Sequence, residues 1–187
     1  MSDPVTALAG REAAHRVTIR DAGPRGMVTL RGDLEDPRIL RACKALTGCA
    51  MPDQTGAVLD GDTGLLWMSP DELLLLVPCS EAGAAVDHLS DALRGMPHLA
   101  VDVSDARQII ALDGAGLREV LARLTPADLH PDALAPGTVR RTRLSQAAAA
   151  FWLISEEKAE VMCFRSVAHY VFGLLDNAAQ SPEAGLF

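Results

Sequence analysis

The stretch GLLWMSPDELLLLVP, residues 64–78, decides the fold. Two apolar runs, Gly64–Met68 and Glu72–Pro78, flank the tripeptide Ser69-Pro70-Asp71. Proline and then aspartate at the centre of such a segment are typical of a β-turn, because proline fixes φ and the aspartate side chain bonds to nearby backbone. The stretch therefore predicts an antiparallel hairpin.

The residues around this hairpin predict a strand and a helix before it and a helix after it. The strand is Gly26–Gly32. Asp36 can cap the first helix, Pro37 suits its first turn and Gly48 can end it. Apolar residues at helical spacing mark one face of the second helix: Val86, Leu89 and Leu93.

The same order of elements recurs in the second half of the chain. A strand, Arg107–Gly114, precedes a helix whose apolar face holds Leu117, Val120, Leu121 and Leu124. Three strands follow, near Val139–Leu144, Ala149–Ile154 and Glu160–Phe164. The last helix is predicted to bury Val167, Tyr170, Val171, Leu174 and Leu175.

Two pairs of landmarks indicate an internal duplication. Gly32 and Gly114 lie 82 positions apart, each at the end of the first strand of its half. Trp67 and Trp152, the two tryptophans of the chain, lie 85 positions apart in the first strand of each late hairpin. We predict an α+β fold of two related, mostly antiparallel sheets with about four helices and pseudo-twofold symmetry.

The predicted organisation is one domain, residues 26–178, made of two similar halves at 26–98 and 101–178. Residues 1–25 show no clear period and predict an irregular N-terminal arm. Residues 179–187 predict a tail.

Composition narrows the class of protein. The formal charge of -8 argues against nucleic-acid binding and against an anionic membrane surface, since both need a basic face. No signal peptide is apparent at the start, so the four cysteines are expected to be reduced thiols in a cytoplasm. A mean hydropathy of +0.14 suggests that a partner covers part of the surface.

No motif in the sequence predicts a catalytic, cofactor-binding or metal-binding residue. The five histidines and four cysteines lack ligand spacing, and no GxSxG elbow occurs. Ser104 lies between Asp102 and Asp105, where a turn feeding the strand from Arg107 is the favoured interpretation. Gly114-Ala115-Gly116 has the context of an anion-binding loop, but Glu119 stands where a third glycine belongs.

Two charged groups leave alternatives open. Asp60 and Asp62 flank Gly61 beside a turn, where solvated acids are ordinary. Arg141 and Arg143 share one face of a strand. They could bind an anion or an acidic patch on a partner, although a solvated strand edge is the more common situation.

Four segments, taken in order, resemble the gamma subunit of heterotetrameric sarcosine oxidase over residues 26–178. They are GLLWMSPDELLLLVP (64–78), VDVSDAR (101–107), DLHP (128–131) followed by Gly137 and Arg141-Thr142, and FRSVAHYVFGLL (164–175). The second half is also similar to the start of the folate-binding aminomethyltransferase fold, through VDVSDAR and VRRTRL. The resemblance implies an internally duplicated fold of that type.

The resemblance also implies a function. The complex would oxidatively demethylate sarcosine to glycine, producing hydrogen peroxide and passing the one-carbon unit to tetrahydrofolate. FAD, FMN, NAD and zinc are expected on the other subunits, with none in this chain. The expected partners are the alpha, beta and delta subunits, chiefly the large alpha subunit, and the isolated chain could self-associate. We expect a non-catalytic, structural subunit with Trp67 or Trp152 near its interface.

One alternative is a free-standing folate-binding one-carbon protein of aminomethyltransferase type that lacks its catalytic acid. In aminomethyltransferases an aspartate pair follows the RxT strand, and one acid works at the folate nitrogen. Here no acid stands between Arg143 and Ser155. The absence of this acid weakens any expectation of folate chemistry on this chain.

Overall fold

The computed structural model describes residues 4–181, 185 and 187. The strands are β1 (Glu12–Ala13), β2 (Thr18–Asp21), β3 (Gly26–Arg31), β4 (Ala57–Asp60), β5 (Thr63–Ser69), β6 (Glu72–Val77), β7 (Leu99–Asp102), β8 (Arg107–Asp113), β9 (Val139–Leu144), β10 (Ala147–Ser155) and β11 (Lys158–Phe164). The helices are α1 (Pro37–Thr47), α2 (Ala82–Ala92), α3 (Leu117–Ala122) and α4 (Ala168–Gln180).

The chain forms two compact units. Unit 2 is Pro24–Asp105, and unit 1 combines Met1–Gly23 with Ala106–Phe187. These boundaries differ slightly from the predicted halves, 26–98 and 101–178. The difference arises because β7 pairs with β3 and therefore belongs to unit 2, whereas the N-terminal strand β2 pairs with β8 in unit 1.

Unit 2 contains a five-stranded antiparallel sheet in the order β4-β5-β6-β3-β7. Alternate sheet residues such as Leu30 and Leu75 face α1 and α2 and form a core with Ile39 and Leu89. The predicted hairpin is present as β5 and β6. The sequence determines α1 locally: the Arg38 N–H donates to the Asp36 carboxylate at 2.8 Å, Pro37 occupies the first turn, and Gly48 adopts φ 71° at the C-cap.

Unit 1 contains a six-stranded antiparallel sheet in the order β1-β2-β8-β11-β10-β9. Its helix-facing side packs Ile110 and Phe151 against α3 and α4 residues that include Val171 and Phe172. The two sheets and four helices confirm the predicted α+β class.

The prediction of an irregular N-terminal arm is wrong for residues 12–21, which carry β1 and β2. β2 pairs along β8 from Thr18 opposite Asp113 to Asp21 opposite Ile110, and its Ile19 is fully buried. Without β2, one edge of β8 would expose its backbone hydrogen-bonding groups. Residues 1–3 of the predicted arm lie outside the described residues.

The end of the chain also differs from the prediction. α4 continues through Gln180, so its last turn includes the start of the predicted tail, and residues 182–184 and 186 lie outside the described residues. Tyr170, predicted to be buried, is 46% exposed, whereas Phe172 is fully buried. The reason is helix phase: α4 begins at Ala168 after a short 3-10 turn, which directs Val171 and Phe172 inward.

The tryptophans are not equivalent residues of the two units. The Trp67 N–H donates to the Gly56 carbonyl at 2.9 Å, and the matching bond joins the Leu153 N–H to the Thr138 carbonyl at 3.2 Å. A β-bulge follows Trp67 before Ser69, and another follows Leu153 before Ser155. Trp67 therefore corresponds to Leu153, and the expected match to Trp152 is off by one residue. Because strand side chains alternate, the two indoles lie on opposite faces of their sheets.

None of the helices in the described part of the chain is long and apolar enough to cross a membrane.

Candidate functional site

The cysteines with the strongest burial are poorly suited to nucleophilic chemistry. Burial raises the pKa of the Cys43 thiol to about 12. Burial also raises the pKa of Cys163, to about 11, although the nearby charge of Arg107 opposes this. Such thiols stay protonated near neutral pH. Within residues 4–181, 185 and 187, no three His, Cys, Asp or Glu side chains come together as a metal site.

Ser104 has a structural role in unit 2. Its backbone N–H donates to the Asp102 carboxylate at 2.9 Å, and its hydroxyl donates to the same oxygen. The hydroxyl oxygen in turn accepts the Met27 N–H at 2.9 Å. These bonds connect the turn after β7 to the start of β3, which supports the turn interpretation.

The glycines of the segment 114–116 make room for Arg16. A Cβ at Gly114, where φ is 139°, would lie 2.4 Å from the Arg16 carbonyl oxygen. A Cβ at Gly116, where φ is 88°, would lie 2.3 Å from the Arg16 guanidinium. That guanidinium approaches the buried Glu119 carboxylate at 3.3 Å. Gly114 and Gly116 are thus explained by the close approach of Arg16, and Glu119 by its ion pair with the same arginine.

The remaining charged candidates lie at the surface. Asp62 is largely exposed, and its carboxylate lies 3.4 Å from Arg25. Asp60 ends β4 and is exposed. Arg141 and Arg143 are exposed on β9, which pairs with β10 and is an edge strand of its sheet in the described part of the chain. The structure brings none of these four residues into one site.

A candidate site that the sequence did not predict is a cleft in unit 2, which we call the Trp67 cleft. Its volume is about 330 Å³. Three segments form its walls: Leu34 and Glu35 after β3, Met51, Pro52 and Gln54 before β4, and Trp67 and Pro70 in the hairpin. Of the described lining residues, Glu35 alone is ionisable. Trp67 is half-buried, whereas Trp152 is fully buried, so of the two expected interface tryptophans only Trp67 reaches the surface.

Unit 1 has corresponding walls, but there they are joined by a buried arginine. Each unit has a hydrogen-bonded turn in the connection that follows its helix. In unit 2 the Gly56 N–H donates to the Asp53 carbonyl, and in unit 1 the Thr138 N–H donates to the Ala135 carbonyl. Pro52 precedes the first turn as Leu134 precedes the second, and Pro70 occupies the hairpin position of Glu156.

Arg118 bridges these walls of unit 1. Its guanidinium donates to the carbonyls of Leu129 and Leu134 at 2.9 and 2.8 Å and to the Glu156 carboxylate at 2.7 Å. The Arg118 side chain is only 7% exposed. The sequence signal for this buried bridge is an arginine directly after Leu117, at the start of an apolar helix. In unit 2 the corresponding walls enclose the Trp67 cleft.

The class of fold follows from a comparison with solved structures. The structure resembles the glycine cleavage system aminomethyltransferase T from Bartonella henselae with a TM-score of 0.62 over 92% of this chain and 50% of that chain. The sequence identity is 17%, so this likeness establishes the fold alone. The fold is aminomethyltransferase-like, as the sequence predicted.

The family follows from closer matches. The model of the sarcosine oxidase, gamma subunit family matches residues 31–181, and this chain belongs to that family. It is 32% identical to the sarcosine oxidase subunit gamma of Arthrobacter sp over 123 residues, 65% of this chain and about 60% of the length of that relative. A chain of the heterotetrameric sarcosine oxidase from Corynebacterium sp. U-96, solved with pyrrole 2-carboxylate, has a TM-score of 0.79 and 28% identity over 92% of this chain and 90% of that chain.

Proposed function

We propose that this chain acts as a non-catalytic, structural gamma subunit of a heterotetrameric sarcosine oxidase. The observation that carries the proposal is the match of residues 31–181 to the gamma subunit family. The likeness to a chain of the Corynebacterium enzyme over 92% of this chain supports it.

The contacts of the candidate residues are consistent with a structural role. The Ser104 hydroxyl closes a turn, and the Glu119 carboxylate pairs with Arg16. Arg118 holds the connection before β9 through two backbone carbonyls. These polar groups serve the architecture of their own unit, as expected of a chain that is held by other subunits.

The proposed complex oxidatively demethylates sarcosine to glycine, reduces oxygen to hydrogen peroxide and passes the one-carbon unit to tetrahydrofolate. FAD, FMN, NAD and zinc are assigned to the other subunits. The partners are the alpha, beta and delta subunits, chiefly the large alpha subunit, and the location is the cytoplasm.

Co-expression with the other subunits from the same source tests the proposal. We expect the four chains to purify together, and we expect omission of this chain to reduce the yield and the thermal stability of the flavin-containing oxidase. An oxidase that assembles and turns over sarcosine normally without this chain would contradict the proposal. Tight binding of a reduced folate by the isolated chain would instead favour a free-standing folate protein.

A further inference from the structure

We infer that the Trp67 cleft receives an arginine side chain from another subunit of the oxidase. The inference rests on the proposed function, because it assigns the arginine to a subunit of that complex. Its basis is a comparison within this chain: the corresponding walls in unit 1 are joined by the buried guanidinium of Arg118.

The difference between the units comes from the lengths of their connections. The segment between α3 and β9 has 16 residues, and Leu129 and Leu134 of this segment are buried in the core of unit 1. The segment between α1 and β4 has nine residues, too few to form a similar cover. In unit 2 the space between the connection and the hairpin turn therefore remains open as a cleft.

The chemistry of the cleft suits a guanidinium. Glu35 supplies a carboxylate, which guanidinium groups bind in a planar, bidentate geometry. Trp67 supplies an indole, the aromatic group that binds cations best. Leu34, Met51 and Pro70 offer apolar surface for the aliphatic stem of an arginine.

Charge favours the same occupant. Among the described residues that line the cleft, one is acidic and none is basic. Exposed Asp33 and Asp53 adjoin the lining residues Leu34 and Pro52, and the chain carries a formal charge of -8. A basic side chain on the partner would meet a favourable potential, whereas an acidic one would be repelled.

The same chain already stacks arginine on aromatic rings in unit 1. The Arg107 guanidinium lies 3.9 Å from the centre of the Phe164 ring, and that of Arg11 lies 4.5 Å from the centre of the Phe172 ring. The inferred contact repeats this type of interaction between chains.

The experiment measures the affinity of purified variants of the full chain for the complex of the other three subunits. Glu35→Gln removes the charge from an exposed side chain and keeps its size. Glu157→Gln, at an exposed turn of unit 1, is the matched control. We expect Glu35→Gln to weaken association at least tenfold at low salt and Glu157→Gln to change it less than twofold.

Two substitutions at Trp67 identify the kind of occupant. Trp67→Phe keeps an aromatic face, and Trp67→Leu introduces the residue found at the equivalent position, Leu153. For an arginine we expect Trp67→Leu to weaken association at least tenfold and Trp67→Phe less than threefold. Thermal unfolding of each free variant verifies that it folds.

The outcomes separate this inference from the proposed function. If the wild-type chain associates and Glu35→Gln associates equally well, the inference is overturned and the proposed function stands. If the wild-type chain does not associate with the other subunits, both are overturned. Self-association of the isolated chain that Glu35→Gln abolishes would assign the cleft to a second copy and overturn the inference.

Discussion

The carboxylate of Asp21 accepts a hydrogen bond at 2.8 Å from the side-chain amide of Gln108, 87 positions later in the sequence. The same carboxylate accepts the backbone N–H groups of Gly10 and Gly23 at 2.9 and 3.0 Å and the hydroxyl of Thr6. The side chain of Asp21 is thus the polar anchor that attaches the N-terminal segment to β8.

Replacement of Asp21 by asparagine is expected to destabilise the protein. An amide has a single acceptor oxygen, so it cannot satisfy four donors, and buried donors left unpaired cost about 1–3 kcal/mol. Urea unfolding at neutral pH measures the change. Asp62→Asn is the control, and we expect it to stay within about 0.5 kcal/mol of the wild type because Asp62 is largely exposed. Equal stabilities of the two variants would contradict the assignment.

The stabilisation by Asp21 is expected to depend on pH in the acid range. Burial raises the pKa of Asp21, but the hydrogen bonds from Thr6, Gly10, Gly23 and Gln108 together hold it below the ordinary value of 3.8. A lowered pKa in the folded state stabilises the protein above the unfolded pKa and ceases to do so as the pH falls through the folded pKa.

The measurement for this prediction is a series of urea unfolding curves of the wild type and Asp21→Asn from pH 7 down to acid. We expect a constant difference in unfolding free energy above about pH 5, and a difference that shrinks below about pH 4. A difference that does not change across this range would exclude titration of Asp21 as its cause.

Replacement of Arg118 by methionine is expected to loosen the connection between α3 and β9. The substitution leaves the carbonyls of Leu129 and Leu134 without their guanidinium donor and costs about 1–3 kcal/mol or more. Thermal unfolding measures the stability, and limited proteolysis measures the opening of residues 123–138. Arg143→Met, on the exposed face of β9, serves as the control. Equal proteolysis of the two variants would argue against the bridge.

The two tryptophans are expected to differ in solvent access. With excitation selective for tryptophan, Trp152→Phe leaves the half-buried Trp67 as the emitter, and Trp67→Phe leaves the fully buried Trp152. We expect acrylamide to quench the fluorescence of the first variant several-fold more strongly. Similar quenching of both variants would contradict the open cleft.

The cysteines are expected to react with a thiol reagent in a defined order. Cys79 is partly exposed, whereas Cys43 is buried with a pKa raised to about 12. Because the thiolate is the reactive form, Cys79 reacts first in the native protein at pH 8 and Cys43 reacts only on unfolding. Mass spectrometry of peptides after timed labelling distinguishes them.

Local signals made part of the fold predictable. α1 is bounded by Asp36, Pro37 and Gly48, whose capping roles depend on a few neighbouring atoms. The hairpin of β5 and β6 was predictable for the same reason. β2 was not, since the full length of its four residues pairs with β8 far along the chain, and β1 pairs with two of them.

The Trp67 cleft was also beyond sequence reasoning. It depends on the difference in length between two connections and on the bulges that align Trp67 with Leu153. The sequence does not show the bulges, so the two tryptophans look equivalent in it. The bulges align Trp67 with Leu153, and side-chain alternation then places Trp152 on the opposite face of its sheet. The sequence shows an arginine at the start of an apolar helix, but the role of Arg118 depends on the positions of the Leu129 and Leu134 carbonyls, which the sequence does not show.

The discontinuous make-up of unit 1 has a consequence for biosynthesis. Unit 2 is one continuous segment, so it can complete its sheet while the ribosome is still translating the remainder. Strand β2 pairs with β1 early in synthesis, but it must wait for β8 before it joins the rest of its sheet. A nascent chain stalled near residue 140, with residues 24–105 outside the exit tunnel, should therefore show a protease-resistant fragment from its middle and a cleavable amino-terminal end.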